Sequence, residues 1–140
     1  MWVYLKNQKT DVSVLILRLG IGSIFIIFGF DKLVRPNNWL IFLSKEISQY
    51  LTIANLTYQQ FLWIQGVVEF MVGVHLILGL LTRTSAVIGS SILISIVFFL
   101  GFTDPTALRD IGILSGLLAI ISFGSGSIAI DFWLKNGENT

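Results

Sequence analysis

The sequence predicts an all-α integral membrane protein: a four-helix bundle of antiparallel, up-down topology, with an amphipathic interfacial helix between spans one and two. Three observations carry this expectation. Hydrophobic residues make up 54% of the chain and charged residues only 12%, whereas about a quarter of a soluble domain is charged. Mean hydropathy is +0.84. Separate apolar runs also approach the roughly 20 residues that cross a ~30 Å hydrocarbon layer at 1.5 Å per residue. One domain, residues 1–140, accommodates all of them.

The net charge of +1 comes without any basic cluster, so no nucleic-acid partner is expected and the lipid bilayer is the first partner. Cysteine is absent, which excludes disulfides, iron–sulfur clusters and thiolate metal sites built by this chain.

The first span runs from Val12 to Phe30, after the polar stretch MWVYLKNQKTD. No small-residue cleavage site precedes the later apolar segments, so this span is expected to be retained. Asp11 suits a helix start, where an acid complements the dipole. Arg18, Gly22, Phe25, Gly29 and Lys32 recur at helical steps, giving one face of small residues with a cation at each end. Arg18 has two readings: it snorkels to the nearby interface, or it reaches inward to an acid. Asp31, Lys32 and Arg35, followed by Pro36, close the span.

Between Asn37 and Gln60, Trp39, Leu40, Leu43, Ile47, Tyr50 and Leu51 share one helical face, and Ser44, Lys45, Glu46, Ser48 and Gln49 the other. Such a helix is too interrupted to span and is expected to lie in the interface as a lid.

The second span, Phe61 to Arg83, holds an acid near its middle. A charged residue at a helix centre costs about 2.5 to 3.5 kcal/mol on insertion, so Glu69 must face other helices. Gln65, Glu69 and Gly73 form a polar and small stripe. A very short connection leads to the third span, Ser85 to Phe102, where Ser85 with Gly89 and Ser91 with Ser95 read as packing pairs. Asp104 before Pro105 is positioned to cap the fourth span, Thr106 to about Phe123, on which Arg109, Gly112, Gly116, Ala119 and Phe123 share a face. GSGSIAID then breaks the helix ahead of a short polar tail.

Counting depth along alternating spans puts Glu69 roughly 12 Å below the face that carries Asp31, Lys32, Arg35, Arg109 and Asp110. Arg18 approaches from the opposite face, within the combined reach of the two side chains. A buried Glu69 must pair with Arg18, Lys32 or Arg109, or stay neutral. Two readings follow: a polar pocket that binds a small amphiphile, or an ion-pair network that locks the helices. His75 is the single histidine and suits a hydrogen-bonded interior position, not a metal or haem site within one chain. No catalytic constellation is visible: no nucleophile with a base, no phosphate loop, no paired acids.

In order and spacing the chain resembles the DoxX family of small four-span membrane proteins. The resemblance lies in LRLGIGSIFIIFGFDKL (17–33), EFMVGVHLILGLLTR (69–83), LRD (108–110) and GSGSIAID (124–131). The matching positions are Arg18, Gly29, Lys32, Glu69, Arg109 and Asp110. Phe28 departs from the family, many members of which carry a polar residue or histidine there. The resemblance implies an accessory or quinone-binding subunit of a membrane redox complex, in a prokaryotic plasma membrane. Arg18, Lys32, Glu69, Arg109 and Asp110 would surround the ligand. It implies no intrinsic cofactor, with bound quinone as the candidate ligand and other subunits as partners. The alternative is a structural or assembly subunit that docks onto a larger enzyme; a transporter is disfavoured, because no inverted repeat is visible.

Overall fold

The computed structural model describes the backbone of residues 2–43 and 45–137 and the side chains of residues 10–43 and 47–134. The side chains of Ser44, Lys45 and Glu46, assigned above to a polar face, lie outside the described residues. Among the described residues every regular element is helical, and four helices are long and apolar enough to cross a membrane.

Helix α1 covers Trp2–Val34, of which Thr10–Val34 is the membrane-length segment. It starts well before Val12, because residues 2–9 contain no proline or glycine to stop it. Asp11 is therefore inside the helix, not at its start, and its carboxylate accepts a hydrogen bond from Ser127 Oγ. Proline at 36 biases Arg35 away from helical backbone and ends α1.

The expected lid helix is two pieces: a 3-10 helix, Pro36–Phe42, and α2, Lys45–Ile53. The break at Leu43, whose backbone is extended, turns the apolar face, so Leu51 is buried while Tyr50 and Ile53 are exposed.

Helix α3 covers Tyr58–Leu78 and opens on a capping box. The Thr57 side chain accepts from Gln60 N–H, and Gln60 reaches back to Thr57 N–H. The helix ends at Gly79, whose φ of 69° is left-handed. Gly79 N–H donates to Leu76 O and Leu80 N–H to His75 O, the reciprocal pair of bonds by which a left-handed residue closes a helix. That glycine ends the second span four residues before Arg83. Thr82 and Arg83 belong instead to α4, Thr82–Leu100.

Helix α5, Pro105–Phe123, starts as expected, with the Asp104 carboxylate accepting from Thr106 N–H at 2.7 Å. In place of a polar tail, the chain turns through residues 124–129 and forms α6, Ile130–Gly137. Asp131 at its start accepts from Leu81 N–H (2.8 Å) and Thr82 N–H (2.9 Å), so a residue distant in sequence caps α4.

A single apolar core joins the four long helices, with Ile21 and Phe25 from α1, Val72 and Leu76 from α3, Ala86 and Leu93 from α4, and Leu117 and Ile120 from α5. The closest pairing is α1 with α3. A Cβ placed on Gly22 would lie 2.9 Å from Gly73 O, and one on Gly29 would lie 2.5 Å from Phe70 N. The two backbones touch at these glycines, which is how helices gain packing energy in lipid. The Gly112 and Gly116 pair makes no such crossing here: Gly112 meets open space and Gly116 meets the Ile21 side chain. Ser91 and Ser95 form no packing pair either: both are exposed, Ser95 also borders a cavity, and each donates to a carbonyl one turn back on its own helix.

Candidate functional site

Helices α1 to α5 and the 3-10 segment line a cavity of about 460 Å³. Its walls are mostly aliphatic and aromatic, and its charged groups gather in two pairs. In the first, Lys32 Nζ lies 2.5 Å from Glu69 Oε2, with the two side chains only 5% and 4% exposed. Gln65, one turn before Glu69, donates from Nε2 to its other oxygen at 3.0 Å. Trp39 covers Lys32, with Nζ 4.1 Å from the ring centre. The Trp39 indole N–H donates in turn to Asp31 Oδ2 at 2.8 Å, which fixes the ring. A cation over an indole face, beside a carboxylate, is held from two sides.

In the second pair, Arg109 donates from Nε and Nη2 to Asp110 Oδ1 at 2.9 and 2.8 Å. Asp110 is buried, while the Arg109 side chain is 47% exposed. The guanidinium carbon sits 5.0 Å from the centre of the Phe28 ring. Phe28 therefore serves as an aromatic surface for Arg109.

Lys32, Glu69, Arg109 and Asp110 all line the cavity. Arg18 does not, and the expected approach to Glu69 is corrected. Arg18 is 1% exposed at the other end of the bundle, where the carboxylate whose charge acts on it is Asp131, not Glu69. Its Nε donates to Leu76 O (2.9 Å), Nη2 to Ile77 O (3.0 Å), and Nη1 to Ser125 O (2.7 Å) and Ile128 O (2.9 Å). The last carbonyls of α3 have no partner within the helix, and an Arg fork satisfies them while tying down the 124–129 turn. Depth counting missed this because backbone acceptors at a helix end leave no mark in a side-chain pattern. The snorkelling reading fails as well, since the guanidinium is enclosed. His75 is half-buried, lines no part of the cavity, and its ring has no hydrogen-bond partner among the described residues.

Two cavity residues carried less weight in the sequence than their contacts give them. Trp39 read as one member of an apolar stripe, although its position eight residues after Asp31 fits a chain that turns back over the end of α1. Gln65 was on the polar stripe with Glu69, and its spacing of one turn was the available signal.

Fold and site together define a helical membrane protein of four candidate spans, with a cavity that is apolar along its walls and charged at two points. Within that class the chain belongs to the DoxX family, whose sequence pattern matches residues 13–102. The match takes in Lys32, Glu69 and Trp39 and stops before Arg109 and Asp110, which join the site through the geometry of α5. Comparison with curated proteins and with solved structures gives no match.

Proposed function

We propose that this chain is a quinone-binding, accessory subunit of a membrane redox complex in a prokaryotic plasma membrane. The observation that carries the reading is the pairing of Lys32 with Glu69 and of Arg109 with Asp110 on the wall of an otherwise apolar cavity. Its volume lies in the lower half of the roughly 300–1,000 Å³ typical of small-molecule sites. A quinone matches this donor set, because its ring oxygens accept hydrogen bonds and its ring and tail are apolar. Lys32 and Arg109 would donate to those oxygens, and Trp39 and Phe28 would flank the ring. When bound, the quinone supplies two-electron redox chemistry that no side chain of this protein offers.

The reading includes spans that alternate in direction, supported by the contact register: Gly22 meets Gly73, and Gly29 meets Gly66. It also places the 3-10 helix and α2 in the interface, over the cavity end of the bundle. A second reading, a structural subunit without its own ligand, draws support from Gly112, a small position on α5 that meets none of the described residues and leaves room for a partner helix.

One purification from native membranes in mild detergent separates them, with mass spectrometry of the co-purifying lipids and proteins. The first reading expects stoichiometric quinone that exchanges saturably with added quinone. Partner subunits without quinone, and no saturable binding, favour the second.

A further inference from the structure

The cavity has a side that the bundle leaves open. Helices α3 and α4 are joined by the tight turn at 79–81, yet α3 packs chiefly on α1 and α4 chiefly on α5. The two joined helices share far less contact with each other, as do α1 and α5, and both α3 and α4 line the cavity at the end away from their turn. Of the lining residues that are exposed, Phe42 and Tyr50 belong to the segment over the cavity and Arg109 to α5, while Ile64 on α3, 54% exposed, and Ser95 on α4 flank the gap between these two helices.

Their depth can be counted from a common layer. A Cβ on Gly89 would touch Phe25, Val72 and Leu117, so these four residues mark one level of the four long helices. Toward the cavity end, Ile64 is eight residues from Val72, Ser95 six from Gly89, Lys32 seven from Phe25 and Asp110 seven from Leu117. At 1.5 Å per residue all four stand about 9 to 12 Å above that layer. Ile64 and Ser95 are level with the charged groups.

We infer that the cleft between α3 and α4 is a lateral portal, bounded by Ile64 and Ser95, through which a lipid-soluble ligand slides from the bilayer with its polar head leading. The inference rests on the quinone reading above and extends it to the route and to the tail. A cavity of about 460 Å³ holds a substituted ring and the first part of a tail; a long polyprenyl chain must leave it, and the cleft delivers that chain to the acyl layer. The ligand class is thus an amphiphile with a compact hydrogen-bonding head and a single long apolar tail. Lipids with two acyl chains would not pass.

The chain has no cysteine, so single thiols report without background. Ile64→Cys, Ser95→Cys and Ile94→Cys are reconstituted in liposomes and labelled with a lipid-soluble maleimide. Labelling is compared with and without a decyl-tailed benzoquinone whose ring is fully substituted and cannot add a thiol. Ile94 is the control, exposed beside Ser95 at the same depth but not lining the cavity. The expected result is labelling slowed about tenfold at 64 and 95 and unchanged at 94. Unchanged rates at 64 and 95, in variants that still bind the quinone saturably, overturn the portal and leave the binding site intact. Loss of all saturable binding in the parent protein overturns the site, and the portal with it.

Discussion

Replacing Lys32 by Met, Glu69 by Leu, and both together tests what the buried pair does. The pair is 2.5 Å apart and nearly sealed from solvent. Removing one partner leaves the other charge buried, which costs about 3 to 5 kcal/mol. Each orphan keeps one neighbour: Glu69 retains the Gln65 amide at 3.0 Å, and Lys32 retains the Trp39 face at 4.1 Å. Those contacts, worth about 1 to 2 kcal/mol each, place the expected single-variant loss near the lower limit, about 3 kcal/mol. The charge-free double variant leaves no orphan and is expected to be within about 1 kcal/mol of the parent, or more stable. The coupling energy is then about 5 kcal/mol in magnitude. Reversible unfolding by SDS in mixed micelles, followed by helicity, measures all four corners of the cycle. Single variants within 1 kcal/mol of the parent, or a double variant equal to the sum of the singles, would refute the argument. The same double variant separates the roles of the pair: a folded protein that no longer binds quinone assigns the charges to the ligand, whereas retained binding assigns them to packing alone.

Two further substitutions probe the bundle. Gly29→Ala puts a methyl group 2.5 Å from the α3 backbone and is expected to destabilise by about 1 to 3 kcal/mol, whereas Gly112→Ala, in open space, is expected to be neutral or to gain up to about 1 kcal/mol; the same SDS titration reads both. Arg18→Lys keeps the charge but loses the planar fork that reaches four carbonyls, so unfolding is expected to cost at least about 3 kcal/mol less and proteolysis in the 124–129 turn to speed up, while quinone binding at the far end is unchanged.

How much of this was legible depends on what each residue bonds to. The spans could be read because apolar length is a property of the sequence itself, and Asp104 and Pro105 marked the start of α5 correctly. Glu69 was legible as a group that must face inward, and Lys32 as one of three candidate partners. Choosing among the three needed the offset of α1 against α3, which is set by where glycines let backbones touch. The seven-residue spacing of Gly22 and Gly29, matched by that of Gly66 and Gly73, held that offset but acquires meaning only once the two helices are known to pair. Asp131 was unreadable for another reason. Its partners are Leu81 and Thr82 backbone N–H groups, which every non-proline residue carries.

The two ends of the bundle handle buried charge in opposite ways, and that contrast bears on function. Arg18 spends its donors on main-chain carbonyls from α3 and the 124–129 turn, and a Cβ at Gly79 would come within 2.3 Å of its Nη2, so that end has no space for a guest. At the other end the charges are satisfied by side chains, Lys32 with Glu69 and Arg109 with Asp110, beside an open volume. Side-chain partners can change rotamer or share a donor with a ligand, whereas backbone acceptors at a closed helix end cannot do so without unwinding it. A helix lock alone would be served as well by two ends like that of Arg18. Under the quinone-binding reading, ion pairs between side chains along an apolar cavity can yield donors to a ligand; α1 then carries Lys32 for that purpose and, at its other end, an Arg18 fixed by backbone carbonyls, which anchors the helix that presents Lys32.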